Sequence, residues 1–329
     1  MTGVQTCALP IYTMNNNTQP LKPGTAEWRK LITASKVATI MRTSPWETRA
    51  ELWHRMTGTA PGQEVTPAMM RGTIQEDSII RWFFEMLRPD ITQQSGEVTI
   101  TRRDLPWAAA NPDAVGIEDG KPVYIETKSV ARAKVGDSEH TEADEWGEPG
   151  TDQIPLYYYI QVLWQMHMSQ GDGGDKVTRA YLIKHGPWVD QYDVYPIDYN
   201  AGMAAELERQ AKAFYDSLEF ADCPYPVEDR DNIHKFFANL HPDIEPKSEW
   251  EISYELAAEY IKARDAKKDA EAAEDGAKAR ILKAIGTART ATCNGVKIAY
   301  RRPTKTGVSL YPPQNPATLA DINPAANAA

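Results

Sequence analysis

Apolar residues recur at helical spacing from Thr66-Pro67 to about Arg88, ahead of Pro89, where Met70, Ile74, Ile80, Phe83, Phe84 and Leu87 form one broad stripe. A threonine followed by proline is a strong start signal for that helix. Upstream, Ile32-Thr33-Ala34-Ser35 leads into a shorter helix carrying Val37, Ile40 and Met41. Ser44-Pro45-Trp46-Glu47 has the spacing of a capping box and predicts a further helix that stops near Gly58. Strand character begins at Glu97 with Val98-Thr99-Ile100-Thr101 and continues through Trp107 to Gly116. Asp119-Gly120 then predicts a two-residue hairpin turn, and Lys121 to Val130 returns as a strand with Val123 and Ile125 on one face. Pro155 opens a helix with Tyr158, Gln161, Trp164, Gln165 and Met168. Lys176 to His185 and Val189 to Ile197 read as strands, and Asn200 to Leu218 as a helix. This pattern predicts an α/β fold, a mixed central sheet flanked by helices.

The pattern changes after a proline-bearing link, Leu240 to Lys247. Glu249 to Ile285 reads as one long polar helix or a pair broken at Gly276, and Asn294-Gly295 closes a second hairpin between Thr290–Cys293 and Lys297–Arg301. The expected organisation is a leader over residues 1–20, a core over 21–238, a helical and β-hairpin appendage over 239–310, and a disordered tail over 311–329 rich in Pro, Ala and Asn. Thr2 to Ile11 matches the translation of a common sequencing-library adapter and is set aside as a scar.

With 329 residues the chain has ample capacity for an enzyme core, and no apolar run approaches a membrane span. Three cysteines, Cys7, Cys223 and Cys293, exclude four-cysteine zinc and iron–sulfur sites and point to a reducing compartment. The net charge of -10 argues against coating nucleic acid through bulk charge, so any such contact is local. Acid is concentrated between Asp137 and Asp152, with Trp146 the hydrophobic anchor, and reads as a solvated loop. No phosphate-binding G-x-x-x-x-G-K-[ST] loop occurs; Gly171-Asp172-Gly173-Gly174-Asp175 reads as a turn. The histidines lack H-E-x-x-H spacing, and His167 reads as a packed side chain. Trp46, Trp53, Trp82 and Trp164 lie at helical positions and read as core.

The first hairpin carries the candidate chemistry. With Asp119 and Gly120 as the turn, Glu118 faces Lys121, and counting outward sets Asp113 opposite Glu126 in a non-hydrogen-bonded pair. Like charges so placed repel. Glu126 and Lys128, two apart on one strand, project from one face. A divalent cation would turn that repulsion into attraction, and the lysine would orient or help deprotonate a water. The plainer reading, exposed residues on a polar sheet face, fits an isolated E-x-K but fits less well with Pro112-Asp113 across the turn.

Pro112-Asp113 with Glu126-Thr127-Lys128 resembles the signature of the PD-(D/E)xK nuclease superfamily, and its surroundings resemble the lambda-exonuclease/YqaJ-like viral recombinase family. Ile32-Thr33-Ala34-Ser35 resembles that family's I-T-A-S motif, Gly72 to Glu76 its G-x-x-x-E helix, and Tyr158 to Val162 its Y-x-x-Q-V helix. The likeness spans about Trp28 to Phe220. It implies a restriction-endonuclease-like core and Mg²⁺-dependent hydrolysis of DNA, with Mn²⁺ as a substitute, usually from the 5′ end of one strand of a duplex. By matching position, Asp113, Glu126, the backbone carbonyl of Thr127 and Glu76 would be metal ligands, Lys128 would serve the attacking water, and Gln161 would help position it. Arg29 and Ser35 would grip a terminal phosphate, though the spacing from arginine to I-T-A-S is one residue short here. The resemblance also implies double-stranded DNA ends as substrate, a ring-shaped homo-oligomer, a single-strand annealing protein as partner and residence in a bacterial host's cytoplasm. An endonuclease of the same fold and a non-catalytic recombination scaffold are the competing readings.

Overall fold

The computed structural model describes residues 25–130, 146–171, 176–186, 191–230, 233–240, 242–305, 307–313, 316–319 and 321–322. The expected leader, the acidic run from Asp137 to Glu145, most of the Gly171–Asp175 turn and the end of the tail lie outside these residues. The chain divides into two compact units, residues 1–244 and 245–329.

The first unit is built on a five-stranded sheet in the order β1-β4-β5-β6-β7. Its strands are β1 (Thr92–Ser95), β4 (Ala114–Glu118), β5 (Lys121–Ser129), β6 (Arg179–His185) and β7 (Tyr192–Asp198). Only β5 and β6 run parallel; the other neighbours are antiparallel, which makes the sheet mixed as expected. The expected strand over residues 97–116 is instead broken into β2 (Ile100–Thr101), β3 (Ala109–Ala110) and β4, with β2 and β3 pairing on their own. The polar run Thr92–Ser95 carries no apolar alternation and is recruited as β1 by pairing with β4.

One face of the sheet packs Tyr124, Ala180, Leu182, Tyr195 and Ile197 into a core shared with α2 (Ala34–Ile40), α5 (Leu156–Met168) and α6 (Ala201–Ser217). The other face packs Val123, Ile125, Tyr181 and Ile183 under α4 (Pro67–Trp82) and the wide π-helical turn Phe83–Leu87 that follows it. Helix α4 starts as the sequence predicts, with Thr66 accepting from the Met69 amide at 3.2 Å and Pro67 in its first turn. Its apolar stripe is only half used. Ile80, Phe83 and Phe84 are buried, whereas Met70 and Ile74 stay exposed.

Helix α3 (Arg49–Thr57) corrects the expected start at Ser44. The capping box is Thr48-x-x-Glu51, with Glu51 accepting from the Thr48 amide at 2.7 Å and Thr48 accepting from the Glu51 amide at 3.3 Å. Ser44 caps only a local turn through the Trp46 amide, and Glu47 is drawn away to Arg55. Two cap signals four residues apart compete, and the buried one wins because an unsatisfied helix end is costlier there. Gly58 ends the helix in the left-handed region, as expected. Helices α1 (Ala26–Arg29) and α7 (Ile233–Leu240) complete the unit.

The second unit contains α8 (Tyr254–Ile285), which Ser253 caps and which runs through Gly276 without a break. It is followed by β8 (Thr290–Cys293), β9 (Val296–Thr304) and β10 (Gly307–Tyr311), in the order β10-β9-β8. The hairpin at Asn294-Gly295 is the expected one, and β10 adds a third strand. No helix among the described residues is long and apolar enough to cross a membrane.

Candidate active site

The hairpin register is the one the turn dictates. Asp119 and Gly120 take φ of 48° and 77°, the left-handed pair that a two-residue turn needs, and Glu118 pairs with Lys121, Ile117 with Pro122 and Ala114 with Ile125. Asp113 lies one step beyond the last paired residues of β4. Its amide donates to the Ile125 carbonyl at 3.0 Å, so the ladder slips by a residue where it was expected to set Asp113 squarely opposite Glu126. The Asp113 carboxylate instead accepts from the Thr127 amide at 2.7 Å and the Thr127 hydroxyl at 2.9 Å. Because β4 stops at Ala114 while β5 continues to Ser129, residues 126–128 have a strand neighbour on one side only, β6. The site occupies the gap so left.

Glu126 is 2% exposed and is the hub. Its Oε1 accepts from the Lys128 ammonium and from Gln161 Nε2 at 2.5 Å, and its Oε2 accepts from Gln165 Nε2 at 2.7 Å. Gln161 and Gln165 are one helical turn apart on α5, so one face of that helix delivers both amides to one carboxylate. Gln165 also donates to the Asn111 carbonyl at 3.1 Å, which ties the helix to the segment just before Asp113. Lys128 lies over the Tyr158 ring, 5.2 Å from its centroid. Gln75 of α4 accepts from Ser129 at 2.5 Å and brings its neighbour Glu76 to the same end of β5.

Charge crowds this gap. Burial pushes the Asp113 carboxyl well up, Glu126 adds to the rise, and Lys128 and the Thr127 amide act against it. Glu76 is raised by burial and then by Glu126, Glu97 and Asp77. Burial works to lower Lys128, but Glu126 and Asp113 outweigh it and the ammonium is held charged. Three carboxylates thus face a single ammonium. Hard oxygen donors that repel one another are the donor type a divalent cation such as Mg²⁺ prefers. Among the described residues no three His, Cys, Asp or Glu side chains stand as a ready-made metal cage. Both Glu126 oxygens are taken by amides and the ammonium.

Of the sequence-derived candidates, Asp113 bonds Thr127, and Glu126 bonds Lys128 and Gln161; the two sets and Glu76 are joined through charge. Arg29 and Ser35 stand apart: both are exposed, at the end of α1 and in the first turn of α2. Among the described residues neither bonds to a member of the cluster. Lys36, next to Ser35 in α2, spends its ammonium on the Arg29 and Leu31 carbonyls at 2.6 and 2.7 Å. Gln165 is the member of this cluster that sequence reasoning passed over. Its signal was a second glutamine four residues after Gln161 on an otherwise apolar helix, and it is fully buried.

Residues 26–172 match the family model of the YqaJ-like viral recombinase domain, the family that the motifs of this chain resemble. An alkaline exonuclease from Laribacter hongkongensis is 26% identical with a TM-score of 0.41, over 58% of this chain and 88% of that one. The same exonuclease in complex with dAMP gives 25% identity and a TM-score of 0.42, over 59% of this chain and 90% of that one. A SOX–DNA complex gives 12% identity and a TM-score of 0.35, over 57% of this chain and 66% of that chain. No curated protein sequence matches.

Proposed function

We propose that this chain, which matches the YqaJ-like viral recombinase domain over residues 26–172, is a Mg²⁺-dependent deoxyribonuclease that digests duplex DNA from its ends, 5′ to 3′, in phage or prophage recombination. The observation that supports this most is Glu126, buried among Lys128, Gln161 and Gln165 at the gap where Asp113 leaves its strand. Asp113 and Glu76 are each raised by burial and by the nearby Glu126, a repulsion that a hairpin serving packing alone would gain nothing from.

Asp113, Glu126, the Thr127 carbonyl and Glu76 would hold the cation, which when bound neutralises charge on the phosphate and acidifies water. Lys128, kept charged by its carboxylate neighbours, orients the attacking water and stabilises charge building on the phosphate. Gln161 and Gln165 fix the orientation of the Glu126 carboxylate from two sides, and holding the cation would require its oxygens to exchange part of these bonds and the Lys128 contact for the metal. Duplex ends are the proposed substrate, a ring-shaped homo-oligomer the proposed means of staying on DNA, and a single-strand annealing protein the proposed recipient of the product strand.

Digestion of duplexes labelled at either the 5′ or the 3′ end, in Mg²⁺ or EDTA, tests the reading against Lys128→Ala. Release from 5′ ends in Mg²⁺ alone, absent in the variant, is expected. A closed circular duplex stays intact if the enzyme needs an end; cutting it would identify an endonuclease.

A further inference from the structure

The second unit carries a charge pattern foreign to the rest of the chain. Between Gly276 and Ala320 there are eight Lys and Arg and no Asp or Glu, in a protein whose net charge is -10. Five of these cations, Arg289, Lys297, Arg301, Arg302 and Lys305, belong to the small sheet and its approach, and none is ion-paired among the described residues. Tyr300 pairs with Tyr311 and Arg302 with Ser309, so Tyr300, Arg302 and Tyr311 project from one face of the sheet. Ala291, Ala299 and Leu310, its buried residues, take the opposite face. On the outer face the Arg302 guanidinium lies 5.9 Å from the centre of Tyr300 and 5.6 Å from that of Tyr311, and the two rings are 6.5 Å apart. Tyr311 is 39% exposed and Arg302 is exposed beside it.

We propose that this outer face, Tyr300, Arg302 and Tyr311 with Lys305 at its edge, binds single-stranded DNA. Tyrosine rings side by side on an open sheet offer their faces to unpaired bases, and guanidinium and ammonium groups pair with the phosphates between them. A duplex hides its base faces, so only the charge would be read there. The acid-free stretch supplies complementarity to a polyanion that the rest of the chain opposes. A closed structural cluster is the alternative, but the last acids before the stretch, Glu274 and Asp275, are paired with Lys278, and Arg302 and Lys305 are exposed with no ion pair among the described residues. The choice of DNA rests on the proposed nuclease function; the surface itself does not.

The test is anisotropy of a labelled oligothymidylate with the full-length protein in EDTA, which stops digestion. Tyr311→Ala is expected to weaken binding about tenfold, while Tyr311→Phe keeps it. Arg302→Gln with Lys305→Gln is expected to reduce the slope of log affinity against log salt by about 1.4. Unchanged affinity in Tyr311→Ala, an equal loss in Tyr311→Phe, or an unchanged salt slope overturns the proposal. Tighter binding of an oligouridylate overturns the choice of DNA, and an equal effect of Tyr311→Ala on duplex affinity overturns the choice of single strands. Tyrosine-dependent binding by a chain that digests no duplex sinks the nuclease reading and leaves this surface standing. Normal digestion with tyrosine-independent binding sinks the surface alone.

Discussion

At Asp119-Gly120 the two turn residues take φ of 48° and 77°, and at Asn294-Gly295 they take 49° and 82°. The same local chemistry therefore closes both hairpins. Their strands then diverge. β5 lies inside a five-stranded sheet under helices on both faces, and its Glu126 and Lys128 are enclosed; β9 lies in a three-stranded sheet, and its Lys297 and Arg302 meet solvent. Turn residues set which side chains face each other, and the surroundings decide what those charges do. In the first hairpin they raise carboxyls and hold an ammonium; in the second they remain available to a ligand.

The contrast breaks most sharply at Lys128. Lys128→Ala is expected to lower end digestion by roughly 10³-fold with the fold intact by circular dichroism, whereas Lys297→Ala on the other hairpin leaves digestion unchanged; comparable losses would erase the distinction. Gln165→Leu removes the donor to the buried Glu126 Oε2 and is expected to cost about 2 kcal/mol in urea unfolding.

Lys36 extends the contrast to pH. Burial lowers its ammonium to about 8, with Glu47 opposing. The folded state then binds fewer protons than the unfolded chain between about 8 and 10.5, so stability rises with pH across that window. Lys36→Met should flatten that rise, by about 1.5 kcal/mol once partial exposure is allowed for, and Lys297→Met should leave it untouched. Finally, Gly120→Ala and Gly295→Ala should each cost about 1 kcal/mol, since the turn penalty is local and equal. A much larger cost at one would show that its surroundings tighten the turn.

The sequence displayed the β4–β5 register because Asp119-Gly120 admits one short turn and Pro122 tolerates only certain ladder positions. It displayed the Asp113, Glu126 and Lys128 grouping for the same reason. It hid the slip at Asp113, which depends on where β4 loses its partner. It hid the α3 cap because Ser44-x-x-Glu47 and Thr48-x-x-Glu51 are equivalent as strings, and only burial separates them. The strand β1 was invisible because an edge strand held by backbone pairing needs no apolar alternation. Gln165 was passed over because a glutamine on an apolar helix becomes telling only once the carboxylate it serves is in place.

The interior position of β5 has a kinetic consequence. It is bonded to β4 along its first half and to β6 along its second, and Thr127 adds a bond to Asp113. Amide protons there should be among the slowest in the chain to trade with deuterium, because releasing them requires parting the interior of the sheet from β4 or from β6. Peripheral elements such as β1 should fray and reclose many times while the strand bearing Glu126 and Lys128 stays shut.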